Sequence, residues 1–202
     1  MGTLDDTAVP ETNSPAAAPP EIVAFKQTAD EALRKHYRRL GLPRPLLMLG
    51  PDGSNLSSAL IMDPVLAPVD KIVAAVLIML ARKPGREPPL FPSQPQIARL
   101  ANVAAKDTIW RALLILRCTR WLTVFESETY KSDRMRSIGF AINARSMPVA
   151  DTLYLDPYYV SFLEKTAEHA HARVRKVAGD NLRQLPEVGF RDRKYYPADG
   201  PS

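Results

Sequence analysis

The 202-residue chain carries 27 Lys and Arg against 22 Asp and Glu, a formal charge of +5, and 46% of its residues are apolar. That apolar share can bury a core, which excludes a wholly disordered chain. A single cysteine, Cys118, excludes an internal disulfide and fits a reducing compartment. Nineteen prolines, about twice the usual frequency, mark tails, turns and linkers.

The charge is unevenly spread. Residues 1–20 hold Asp5, Asp6 and Glu11 and no Lys or Arg, so the remaining 182 residues carry 27 basic against 19 acidic side chains, or +8. Such a surplus suits an acidic partner, nucleic acid or an anionic surface, although basic domains without one are common. The acidic N-terminus lacks the apolar run of a signal peptide. The longest apolar stretch, Ile72 to Ala81, has ten residues, where a membrane span needs about 20. A cytoplasmic chain with no membrane partner is expected.

In chain order, residues 1–20 read as a disordered tail. A helix is predicted from Glu21 to Leu40, with Ile22, Phe25, Ala29, Ala32 and Leu33 near one face, and Gly41 and Pro43 stop it. It could be a free basic helix or a packed one. Residues 41–56 read as a Pro/Gly-rich loop with a short strand at Leu46–Leu49. A compact domain is predicted to start near Leu56, with Ala59–Met62 as a short extended run ended by Asp63-Pro64. Pro68 suits the first turn of the next helix, whose face is Val73, Val76, Leu77 and Leu80.

Ser93 to Asn143 is the most informative stretch. Ser93 can cap a helix to Ala101 with Ile97, Leu100 and Ala101 inward. After the turn at 102–106, a second helix is predicted from Asp107 to Thr119, burying Ile109, Ala112, Leu113 and Leu116. Trp121–Phe125 is β-prone. Ile138, Phe140 and Ile142 alternate as in a half-buried strand, and Lys131 to Arg136 make a polar, basic hairpin tip between them. This order is that of a winged helix: a mainly α fold with a small β-hairpin wing, followed by a C-terminal helix. Within residues 91–145, nine Lys and Arg face four Asp and Glu.

The segment QIARLANVAAKDTIWRALLILRCTRWLTV, residues 96–124, resembles helix-turn-helix segments of bacterial regulators and replication initiators. Over residues 59–178, with LRCTRWLTV and LYLDPYYVSFLEKTAEHAHARVRKVA, the chain is similar to replication-associated proteins of bacterial genomic islands and integrative conjugative elements. In place of the usual capping Ser stands Ala104 or Ala105, and one extra residue lies between Val103 and Thr108. The resemblance implies DNA work in replication or maintenance of a mobile element, with transcription regulation as the nearest variant.

Opposite the buried stripe of the second helix lie Lys106, Thr108, Trp110, Arg111 and Arg117. Arg111 suits a bidentate contact with guanine, or it is a solvated surface arginine. Lys106 and Thr108 suit phosphate. Trp110 has three roles open to it: stacking on the wing, touching a thymine methyl, or joining a protein interface. Arg120 can reach a phosphate or a neighbouring carboxylate, and Lys131, Arg134 and Arg136 of the wing suit the phosphate backbone. Double-stranded DNA is therefore the expected partner. The alternative is a protein-interaction module that recruits replication or partition proteins through Trp110 and the C-terminal helix.

That last helix is predicted to be capped by Asp156, with Pro157 in its first turn. Val160, Leu163, Ala167, Ala170, Val174 and Val177 form a heptad-like seam for a homodimer or for packing on the same chain. Arg173, Arg175 and Lys176 would then sit near its end, where cations suit the helix dipole. The expected domain plan is an acidic tail 1–20, a helix and linker 21–55, a winged helix 56–145, a C-terminal helix 146–185 and a flexible tail 186–202. No catalytic, metal or cofactor site is expected. His36, His169 and His171 lack metal-site spacing, there is no P-loop or Gly-rich dinucleotide turn, and Cys118 reads as packed.

Overall fold

A computed structural model describes residues 18–40, 44–50, 56–82, 88–127 and 137–185, without the side chains of 36–40, 126–127 and 137. The described chain is mainly helical with one small sheet. In order it forms α1 (Pro20–Leu40), β1 (Leu46–Leu49), α2 (Ser58–Met62), α3 (Pro68–Ala81), α4 (Gln94–Ala101) and α5 (Lys106–Cys118). Then come β2 (Leu122–Ser127), β3 (Ser137–Asn143), α6 (Val149–Leu155), α7 (Tyr159–Thr166) and α8 (Ala172–Arg183).

The sheet has the order β1-β3-β2. β2 and β3 are antiparallel, Leu122 opposite Ile142 and Phe125 opposite Gly139. β1 joins the far side of β3 in parallel, Leu46 opposite Phe140. Successive strand residues point to opposite faces, and here both faces are covered. Leu46, Leu122 and Ile142 enter the larger core with α3, α4, α5 and α8. Leu47, Phe125 and Ala141 enter a second core with Ile22, Ala29, Ala32 and Leu33 of α1 and Leu155 of α6. The sheet is thus the middle of three layers.

This arrangement corrects three sequence expectations. β3 is not half-buried, because its Ala141 face lies under α1. The boundary near Leu56 does not divide the packing, since α1 and β1 belong to the same sheet-centred fold. Ala59–Met62 is helical rather than extended, and Asp63 beyond it accepts the indole N–H of buried Trp121 at 2.8 Å.

Leu100, expected inward on α4, is 41% exposed. Asp156 ends α6 rather than capping α7, whose first turn follows Tyr158 without a side-chain cap. The readings of Pro68 and Ser93 hold. Pro68 opens α3, whose first turn is closed by the Ala67 N–H donating to Asp70 Oδ2 at 2.8 Å. Ser93 caps α4, its Oγ accepting the Gln96 N–H at 3.4 Å. Both α4 and α5 end in a left-handed residue followed by an amide that reaches back five positions. Asn102 (φ 52°) precedes Val103 N–H to Ala98 O, and Arg120 (φ 60°) precedes Trp121 N–H to Leu116 O, both at 2.9 Å.

The predicted single C-terminal helix is broken. α7 stops at Thr166 and α8 begins at Ala172, turning back so that Leu163 and Val174 both enter the same core. His169 Nδ1 accepts the His171 N–H at 3.0 Å, and Arg175 donates to the carbonyls of His169 and Ala170 at 2.8 and 3.1 Å. These bonds replace the helical ones lost at the break. A continuous seam of Val160, Leu163, Ala167, Ala170 and Val174 therefore does not exist. Leu163 and Val174 are buried within the chain, Val160 and Ala167 are half-buried, and Ala170 is exposed. Arg173, Arg175 and Lys176 fall at the start of α8, not at a helix end that favours cations.

Candidate nucleic-acid interface

α5 has one face committed to the core. Ile109, Ala112, Leu113, Ile115, Leu116 and Cys118 are buried, as the apolar periodicity predicts. Its first two turns leave Lys106 and Asp107 exposed, Thr108 and Arg111 half-buried, and Trp110 48% exposed, a high value for a tryptophan. One Arg111 Nη2 donates to Thr108 Oγ1 at 3.1 Å, a single turn away. The guanidinium therefore lies along the helix surface, and among the described residues its partner is a neutral hydroxyl. The helix begins at Lys106, and Ala105 before it supplies no side-chain cap. Arg99, exposed in the last turn of α4, is a further cation that the sequence reading passed over. Its signal was its place beside the inward Ile97 and Ala98.

Arg117 and Arg120 are corrections. Both were expected on the DNA-facing surface, and both are engaged inside the chain. Arg117 Nη2 pairs with Asp156 at 2.6 Å, where the carboxylate side chain is only 2% exposed, and the guanidinium lies 4.0 Å over the Phe162 ring. Among the described residues Arg120 bonds to neutral groups rather than to a carboxylate. Its Nε donates to the Met147 carbonyl at 2.8 Å, and its Nη1 donates to Asn181 Oδ1 at 2.9 Å and to the Tyr159 hydroxyl at 3.5 Å. The two arginines join the end of α5 to α6, α7 and α8. Lys131, Arg134 and Arg136 of the expected wing tip lie outside the described residues.

The titratable groups around this junction are packed. Burial pushes the Cys118 thiol up to about 12, with nearby Arg117 opposing the shift. Burial likewise pushes the Tyr159 phenol up to about 12, against the pull of Arg120, while its hydroxyl donates to the Cys118 carbonyl at 2.5 Å. A thiol so raised is a poor nucleophile at neutral pH. Among the described residues no group of three or more His, Cys, Asp or Glu could hold a metal ion, and no helix is long and apolar enough to cross a membrane.

Compared with known proteins, the chain matches no family model, no curated protein and no solved structure.

Proposed function

We propose that the chain binds double-stranded DNA as a winged helix, with α4 and α5 as its helix-turn-helix and α5 entering the major groove. The observation that carries this reading is the start of α5. Lys106 and Trp110 are exposed and Arg111 half-buried on the side of α5 away from its buried face. N-terminal residues of a recognition helix are those that reach base edges. Amides of an uncapped helix start favour phosphate. The excess of cations over residues 91–145 and the order helix, helix, turn, helix, antiparallel hairpin support the same reading. On the sequence resemblance, the role is replication or maintenance of a bacterial mobile element, with regulation of transcription as its nearest variant.

Fluorescence anisotropy with duplex DNA at low and moderate salt tests the proposal. Affinity should fall steeply with salt, by about 0.9 log units per log unit of salt for each phosphate neutralised. Lys106→Ala with Arg111→Ala should weaken binding at least tenfold, from about 1–3 kcal/mol for a base contact, and flatten the salt slope. Absence of binding at low salt would overturn it. That outcome would favour a protein-docking module anchored on exposed Trp110.

A further inference from the structure

Where the end of α5, the connection between α2 and α3, and α8 come together, a cleft of about 450 Å³ opens, within the size range of small-molecule sites. Its walls include Asp63, Arg120, Asp180, Asn181 and Arg183. Arg120 supplies a half-buried cation there. Its Nε and Nη1 are committed to Met147, Asn181 and Tyr159. Nη2 has no partner among the described residues and remains open to solvent. The bonds at the other two nitrogens hold the guanidinium in place, so a group that accepts from Nη2 meets a donor already ordered.

The acids on the walls are answered by groups other than Arg120. Asp180 pairs with Lys176 at 2.7 Å and with Arg183. Asp63 accepts the indole N–H of Trp121 and the Val65 N–H, both at 2.8 Å. Each of these four carboxylate oxygens thus takes one donor from the described chain and keeps a second lone pair. The described walls therefore offer unused N–H donors at the arginines and unused acceptors at the acids.

We propose that the cleft binds a small molecule bearing one carboxylate or phosphate together with several hydroxyl groups. The anionic group accepts from Arg120 Nη2, with Arg183, 75% exposed at the rim, as the second cation. A planar guanidinium suits either anion. The hydroxyls donate to the remaining lone pairs of Asp63 and Asp180. Charge sets an upper limit on the ligand. Two arginines stand against two carboxylates on the described walls, so a single anionic group is matched and a polyanion is repelled. Nucleic acid is thereby excluded from this cleft. The site shares no residue with the start of α5, and its occupancy is read without DNA.

Ribose 5-phosphate, gluconate and inorganic phosphate, each titrated into the full chain at constant ionic strength, test the proposal. The Trp121 indole is the reporter, because it bonds to Asp63 on the cleft wall. Trp110, exposed near the start of α5, is the internal control. In proton–nitrogen correlation spectra the Trp121 indole peak should move with ribose 5-phosphate or gluconate, saturating with a dissociation constant of about 1 mM or less. The Trp110 peak should stay. Whichever of the two binds more tightly identifies the anionic group. Inorganic phosphate, without the hydroxyl chain, should bind at least fivefold more weakly. Arg183→Ala and Gln184→Glu, both at exposed positions on the rim, should each raise the dissociation constant at least threefold with circular dichroism unchanged. Arg120→Ala should abolish the shift, and the two rim variants decide the matter if that chain fails to fold. A Trp121 peak unmoved by either hydroxylated probe at about 20 mM overturns the proposal. So does a shift that potassium chloride reproduces, that Trp110 shares, or that survives Arg183→Ala with Gln184→Glu. Inorganic phosphate binding as tightly as both hydroxylated probes overturns it too.

Discussion

Arg120 holds a left-handed backbone (φ 60°), which costs an L-residue about 1–2 kcal/mol, where glycine is the usual choice. Its guanidinium offsets that cost by joining Met147, Asn181 and Tyr159. Arg120→Ala loses those bonds and keeps the strain, whereas Arg120→Gly loses the bonds and releases it. Urea unfolding should place both variants about 1–3 kcal/mol below the native chain, with the glycine variant about 1 kcal/mol above the alanine one. Arg117→Ala removes the cation beside a nearly inaccessible carboxylate and should cost on the order of 3 kcal/mol, while the salt slope of DNA binding stays unchanged. The buried Cys118 and Tyr159 add a pH dependence. Their folded pKa values lie near 12 against ordinary values of 9.0 and 10.0, so above pH 9 the unfolded chain releases protons that the folded chain retains. Stability is complete below that point and falls as pH rises toward 12. Tm measured from pH 8 to 11 should drop, and Cys118→Ala with Tyr159→Phe should flatten the decline.

At the scale of single elements, what could be read in the sequence was what local chemistry decides. Pro68 and Ser93 marked helix starts, the stripe on α5 followed its period, and β1 ran over Leu46–Leu49 as the turn residues around it implied. Lys106, Trp110 and Arg111 faced away from that stripe for the same reason. The differences arise where a local pattern fits two structures or where the partner is distant in sequence. Four apolar residues at 59–62 do not distinguish strand from helix, and the seam in 160–177 keeps its spacing across a break that has no Gly or Pro. Arg117 and Arg120 looked outward because Asp156 and Asn181 lie 39 and 61 residues further on. Gly139 shows how tightly two layers meet. A Cβ there would sit 2.3 Å from the Phe125 ring, which packs edge-on against Phe25 of α1 at 5.9 Å. Gly139→Ala should therefore cost about 1–3 kcal/mol by overpacking, measurable as a lower urea midpoint with unchanged slope.

For the whole molecule, the composition and the proline excess suggested one compact body with appendages, but the sequence placed its edge too late. α1 and β1 cover one face and complete one edge of the sheet. A chain beginning at Leu56 should expose Leu47's neighbours Phe125 and Ala141 and lose cooperative thermal unfolding, whereas one beginning at residue 18 should melt like the full chain. Calorimetry of the two truncations separates the cases. The parallel pairing of β1 with β3 also shapes how the protein is made. Residue 46 meets residue 140, so the first strand leaves the ribosome long before its neighbour exists. At about 5–20 residues per second of synthesis the wait is roughly 5–20 s, during which α1 has no sheet to cover. Nascent chains arrested short of β3 should be sensitive to protease within α1 and β1, and become resistant there only once that strand emerges.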